Sequence, residues 1–215
     1  MTSPQTATDL GASEFLDRDA PEVGGFVERV VGTATVPEEV AGRLFRAVRD
    51  EIRYDPYDLP TDPAAYRASA VLDAKRGYCV PKAVLLVAAA RRCGIPARLG
   101  FSDVRNHLQS ERLAAAMGTD VFLYHGYAVL YLGGRWLKAS PAFNRELCER
   151  TGVEPLDFDG TADALLHPFD ASGGRYMEYV NDHGTFGDLP LRRILQAYAQ
   201  AYPGLPMGPG DQRPA

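Results

Sequence analysis

Among the side chains able to act as a nucleophile, Cys79 has the most informative position in the sequence. It opens the run CVPKAVLLVAAARR, which is apolar nearly all round and therefore predicts a helix buried in the core. Free backbone N–H groups at a helix N-terminus stabilise a thiolate and lower its pKa, and the Cys79 amide could donate to a developing oxyanion. Cys93 follows 14 residues later, roughly 21 Å away along a helix and beyond disulfide reach. We therefore expect Cys79 to be a free thiol.

His125 is the candidate base and proton donor for this thiol. It lies within VFLYHGYAVLYL, residues 121–132, whose β-branched and aromatic residues predict a strand. Gly133-Gly134 then predicts a two-residue hairpin, which sets His125 opposite Ala142 and diagonally adjacent to Ser140 on one face. Diagonal neighbours are about 7–8 Å apart between Cα atoms, within side-chain reach. Ser140 could therefore hydrogen-bond one imidazole nitrogen and orient the ring.

The elements that must position these residues follow an order of helices first and an antiparallel meander later, which favours an α+β fold. The domain prediction is a disordered N-terminus at 1–12, a single domain at 13–202 and a flexible Pro/Gly-rich tail at 203–215. The predicted elements are helices over 13–31, 37–54, 64–74, 79–92 and 189–202, strands over 97–104, 121–132 and 135–140, and a surface excursion over 102–120.

Residues 40–144 contain four patterns in a specific order: a helix ending in IRYDPY, the segment VLDAKRGYCVPKAVLLVAAARRCGIPARLGF, the strand FLYHGYAVLYL, and the hairpin return GRWLKASPAFN. These patterns resemble the transglutaminase-like superfamily of cysteine enzymes. The resemblance implies a papain-like α+β core, in which the N-terminal catalytic helix is buried against an antiparallel sheet. It also implies that Cys79 is the nucleophile and His125 the base, and it places the family's aspartate at Ser140.

Ser140 departs from the family pattern, because a serine cannot supply the negative charge that stabilises an imidazolium. Asn144 offers a second way to orient the ring, as an asparagine does in papain-like enzymes. Tyr78 and Trp136 are the expected substrate-binding residues, part of an aromatic group that could line a cleft beside Cys79. Core packing explains most of these aromatic residues equally well.

The activity implied by the resemblance is acyl transfer from an amide or peptide bond through a Cys–His pair. Hydrolysis by a peptidase or amidase is favoured over transfer to an amine, because water is always present. The expected substrate is a peptide, a protein or a small amide. Ser140 keeps a second interpretation open, a catalytically inactive member of the fold that binds peptides or a partner protein. No cofactor is implied, and the three cysteines and four histidines match no metal-ligand spacing.

Composition excludes some classes of function. A net charge of −5 argues against binding to nucleic acid, and no apolar run reaches the roughly 20 residues that span a bilayer. The first 20 residues lack a signal-peptide pattern, so a cytoplasmic location is expected. Residues 75–112 hold eight Lys or Arg against two acidic residues, which could steer an acidic substrate or form a solvated rim. The other candidates, His107, His167, His183 and Cys148, are expected to be surface or loop residues.

Overall fold

The structure, a computed structural model, describes residues 8–107, 109–167, 174, 176–202 and 204. Its helices are α1 (Pro21–Val31), α2 (Pro37–Glu51), α3 (Ala68–Ala74), α4 (Cys79–Arg92), α5 (Glu111–Met117), α6 (Arg145–Thr151) and α7 (Leu191–Ala201). The strands are β1 (Arg53–Tyr54), β2 (Arg76–Gly77), β3 (Ala97–Asn106), β4 (Val121–Leu132), β5 (Arg135–Ala139) and β6 (Met177–Phe186). A 3₁₀ turn covers Pro63–Tyr66.

Helix α4 runs through the core. Every residue from Cys79 to Arg91 is buried, because its apolar side chains surround the whole helix and each face needs a partner. Strands β3 and β4 cover one side of α4, and α1, α2 and α3 pack against it as well. The predicted buried helix and the α+β class are therefore confirmed.

The main sheet has the strand order β5-β4-β3-β6, with all neighbours antiparallel. Gly133 and Gly134 both have positive φ, and they join β4 to β5 through a turn that pairs Leu132 with Arg135. A two-residue turn of this kind favours glycine because it needs left-handed backbone angles. The register of this hairpin is the one that the sequence predicts.

Several elements differ from the sequence-based prediction: α6, β1 and β2 are not predicted, and the helix predicted over 13–31 begins only at Pro21. Strand β6 and helix α5 are the two that matter for the site. Strand β6 is not predicted, because its sequence MEYVNDHGTF is polar and its central residues are exposed at the sheet edge, without apolar alternation. Helix α5 falls within the segment predicted as a surface excursion. Its buried residues, Leu113 and Met117, lie four residues apart and so share one helix face.

The N-terminal segment requires a correction. The sequence predicts disorder for residues 1–12, yet the carboxylate of Asp9 accepts two hydrogen bonds from Arg98, and Arg91 donates to the Gly11 carbonyl. These partners lie about 80 to 90 residues away along the chain, so the local polar composition does not reveal them. Residues 1–7 and, apart from Gly204, the tail 203–215 lie outside the described residues.

A fully buried lysine ties α2 to the first turn of α4. The Lys82 ammonium donates to the carbonyl oxygens of Arg49 and Ile52, at the C-terminal end of α2. Carbonyls at a helix C-terminus have no partner within the helix and carry partial negative charge, so they suit a cation. Burial nevertheless lowers the pKa of Lys82 to about 7. This contact fixes where α4, and with it Cys79, begins.

Candidate active site

Cys79 is the first residue of α4, and only 5% of it is exposed. The backbone N–H groups of Gly126, Val80 and Cys79 itself interact with the thiol and favour its ionised form. Burial has the opposite effect and outweighs them, so the pKa of Cys79 rises to about 11. The sequence predicts a lowered pKa, and that direction is wrong because the helix N-terminus lies inside the core rather than in an open cleft.

His125 occupies the middle of β4, with 4% of the residue exposed. Its Nε2 lies 3.1 Å from the Oγ of Ser140, at the diagonal position that the hairpin register predicts. Burial lowers the pKa of His125 to about 4, so the ring is neutral at pH 7. In the tautomer with hydrogen on Nε2, that nitrogen donates to Ser140 and Nδ1 is left as a basic lone pair.

Gly126 brings the strand that carries His125 against the start of α4. A Cβ at this position would lie 3.0 Å from the Cα of Val80 and 3.4 Å from the carbonyl oxygen of Cys79. Any side chain would therefore push β4 away from the helix. The close approach lets the Gly126 amide contact the thiol, and it sets His125 one residue from that contact.

Asn144 does not orient the imidazole. Its Oδ1 accepts the backbone N–H of Tyr54, and its Nδ2 donates to the carbonyl oxygens of Arg49 and Ile52. Asn144 therefore joins Lys82 in binding the end of α2. The alternative role suggested by the sequence is wrong because the chain bends into α6 right after Asn144 instead of continuing as a strand.

The two expected substrate-binding aromatics lie in different places. Tyr78 is buried beside Cys79, and its hydroxyl lies 3.4 Å from that of Tyr66. Trp136 pairs with Tyr131, six residues along β4 from His125, which is roughly 20 Å. There Trp136 packs under the guanidinium of Arg98, 4.5 Å from the ring centroid. Trp136 therefore lies away from Cys79, because the hairpin carries it towards the turn.

An apolar pocket with a cavity volume of about 30 Å³ adjoins Cys79. Sequence reasoning missed several of its walls: Leu113 and Met117 come from α5, and Tyr198 and Tyr202 from α7 and the residue after it. Each pair is spaced four residues apart, a signal of a shared helix face. Nothing in the sequence indicates that these two faces meet at Cys79.

A buried carboxylate, Asp103, holds the backbone just before His125. Its Oδ1 accepts the N–H of Tyr124 at 3.0 Å and lies 2.7 Å from Nε2 of His183, while its Oδ2 accepts from Asn181. Tyr124 has φ of 50°, and its ring stacks on His183 with centroids 3.9 Å apart. Such a φ is strained for a residue other than glycine and needs support from its surroundings. His183 is thus a paired strand residue, contrary to its expected place in a loop.

Within the described part of the chain, no group of three or more His, Cys, Asp or Glu side chains could hold a metal ion. In the same part of the chain, no helix is long and apolar enough to cross a membrane. All three cysteines are free thiols.

The chain was compared with known proteins. A family model described as the transglutaminase-like superfamily matches residues 24–141, more than half of the chain. No curated protein matches. A solved structure described as a candidate cysteine protease from Cytophaga hutchinsonii is 15% identical, with a TM-score of 0.51 over 86% of this chain and 55% of that one. At this identity the likeness concerns the fold.

Two further solved structures are similar over shorter stretches. The periplasmic domain of TgpA from Pseudomonas aeruginosa is 17% identical with a TM-score of 0.47, over 66% of this chain and 48% of that one. A candidate protease from Parabacteroides distasonis is 16% identical with a TM-score of 0.41, over 64% of this chain and 26% of that one. The chain thus spans about half or less of the length of these three structures.

Proposed function

The chain belongs to the transglutaminase-like superfamily, and from this premise we propose that it catalyses thiol-dependent acyl transfer from an amide or peptide bond, with water as the preferred acceptor. One observation carries the proposal: the Cys79 thiol at the start of α4 interacts with the amide of Gly126, the residue that follows His125, and Nε2 of His125 lies 3.1 Å from the Oγ of Ser140. A thiol at a helix N-terminus beside an oriented imidazole is the arrangement that nucleophilic catalysis needs.

In the proposed mechanism, the thiol and the imidazole are both neutral at rest. Nδ1 of His125 removes the thiol proton as Sγ bonds to the substrate carbonyl carbon, and the negative charge moves to the carbonyl oxygen. The free amides at the start of α4 stabilise that oxyanion. The imidazolium then protonates the leaving nitrogen, the C–N bond breaks, and the acyl group stays on Sγ until water, deprotonated by His125, releases it.

Ser140 keeps Nε2–H hydrogen-bonded throughout but adds no negative charge, so the imidazolium intermediate is less stable than beside a carboxylate. Burial of both groups adds to this penalty, because it disfavours the charged pair. We therefore propose a slow enzyme whose rate rises with pH. Water is proposed as the acceptor because it is always present at high concentration.

The proposal includes a peptide, a protein or a small amide as substrate and a cytoplasmic site of action, which the three free thiols support. A second candidate function is an inactive member of the fold that binds peptides or a partner protein. The observation that favours it is Ser140, which stands at the position of the family's aspartate and contacts His125. Burial leaves both the His125 imidazole and the Cys79 thiol uncharged at pH 7.

Alkylation by iodoacetamide, followed by peptide mapping, separates the two functions. We expect the Cys79 rate to rise about tenfold per pH unit between pH 7 and 10, since its pKa is about 11. Removal of the base in His125→Ala should lower the rate at pH 8 at least tenfold, with His125→Gln as a control of similar volume. Cys148, also buried, serves as the reference in the same sample. Equal rates for Cys79 and Cys148, or no effect of His125→Ala, would overturn the enzyme and favour the binding module.

A further inference from the structure

The described residues that line the pocket beside Cys79 all have uncharged side chains. Its lining contains no Lys, Arg, Asp, Glu or His among the described residues, and consists of Tyr54, Pro56, Leu59, Tyr78, Cys79, Leu113, Met117, Phe122, Leu123, Tyr198 and Tyr202. By contrast, 24% of the residues of the whole chain are charged. The chemistry of the pocket wall therefore differs from that of the protein surface.

The hydroxyl groups of three tyrosines in this wall, Tyr78, Tyr198 and Tyr202, already have hydrogen-bond partners. The Tyr202 hydroxyl donates to the carbonyl of Val121 and accepts the N–H of Leu123. The Tyr78 hydroxyl interacts with those of Tyr66 and Tyr198. A polar substrate side chain would thus displace existing hydrogen bonds, whereas an apolar one would fill the space by contact alone. An unpaired polar group buried there costs about 1–3 kcal/mol, and a charge costs more.

Resting on the proposed function, we propose that the acyl part of the substrate carries a small aliphatic side chain, of the size of alanine or valine, which occupies this pocket while its carbonyl reacts with Cys79. Because Cys79 is itself part of the lining, a group bonded to Sγ can extend straight into the cavity. A volume of about 30 Å³ is close to that of a single water molecule or methyl group. An alanine side chain therefore fits as the pocket stands, a valine side chain needs a small displacement of the wall, and an aromatic side chain needs a large one.

Met117 is the residue we infer to limit the size of this side chain. It is 2% exposed and lines the pocket from α5, the short helix between Ser110 and Gly118. Its long, unbranched side chain fills irregular space and can be shortened without introducing a polar atom. Met177 offers a matched control, since it is also buried but packs in a separate small cluster with Val104 and Tyr176.

The experiment uses acyloxymethyl ketone probes that carry alanine, valine, phenylalanine, lysine or aspartate at the acyl position. Labelling of Cys79 in the full chain is followed by intact mass and peptide mapping. We expect the valine and alanine probes to react at least tenfold faster than the phenylalanine probe and at least a hundredfold faster than the lysine and aspartate probes. Met117→Ala should raise the phenylalanine-to-valine rate ratio about tenfold, while Met177→Ala should leave that ratio unchanged.

The outcomes separate this inference from the proposed function. If Cys79 is labelled in a His125-dependent way but charged or aromatic probes react as fast as valine, the pocket assignment is overturned and the enzyme stands. If Met177→Ala changes the ratio as much as Met117→Ala does, the role given to Met117 is overturned. If no probe labels Cys79 faster in the wild type than in His125→Ala, both proposals fail.

Discussion

Two histidines in one sheet, His125 in β4 and His183 in β6, have partners of different charge. Nε2 of His125 lies 3.1 Å from a neutral hydroxyl, that of Ser140, whereas Nε2 of His183 lies 2.7 Å from the carboxylate of Asp103. A carboxylate stabilises an imidazolium, and a hydroxyl only orients the ring. The sheet therefore contains the His–carboxylate pair that a thiolate enzyme uses, but places it at the histidine that does not adjoin the Gly126–Cys79 contact.

Removing each histidine in turn tests this contrast and has the largest expected effect. His125→Ala should lower turnover, or the rate of probe labelling, by a factor of about 100 or more, because general acid–base catalysis contributes about 10²–10⁴. His183→Ala should change that rate less than threefold per folded molecule, since its partner Asp103 also binds Tyr124 and Asn181. Rates should be normalised to the folded fraction measured by circular dichroism. A larger loss in His183→Ala than in His125→Ala would reverse the assignment.

Asp103 should contribute more to the stability of the fold than to the rate of the reaction. Asp103→Ala leaves the N–H of Tyr124, the amide of Asn181 and the ring of His183 without their acceptor. We expect it to lower the free energy of unfolding by about 3 kcal/mol, measured by urea denaturation. Asp103→Asn keeps an acceptor oxygen and should lose about half as much. Equal stability of Asp103→Ala and the wild type would show that the left-handed backbone at Tyr124 needs no such support.

Replacing the neutral partner of His125 with a charged one should raise the reactivity of Cys79. The expected gain is smaller than the loss expected in His125→Ala. Ser140→Asp places a carboxylate near Nε2, which should raise the pKa of His125 from about 4 and favour the thiolate–imidazolium pair. The Cys79 alkylation rate at pH 7 should then rise about tenfold, and its dependence on pH should flatten. Ser140→Asn, of the same size without the charge, is the control. A gain in Ser140→Asn equal to that in Ser140→Asp would rule out a charge effect.

Local patterns in the sequence were sufficient to predict α4, the β4–β5 hairpin and the contact between His125 and Ser140. Each of these depends on neighbours in the chain: an all-round apolar run, a Gly-Gly turn and a fixed register. The lining of the pocket could not be predicted, because it combines residues of α5, in the middle of the chain, with residues of α7, near its C-terminal end. The raised pKa of Cys79 was missed for the same reason, since burial is a property of the assembled core.

The contacts of Tyr202 show how far along the chain the candidate active site extends. Its ring lines the pocket, and its hydroxyl binds both Val121 and Leu123 at the start of β4. The family match stops at residue 141, well before it. A fragment cut to the matched region would retain Cys79, His125 and Ser140 yet lack one wall of the cavity and the anchor of the strand that carries His125. The shortest intact version of the site therefore extends through Tyr202.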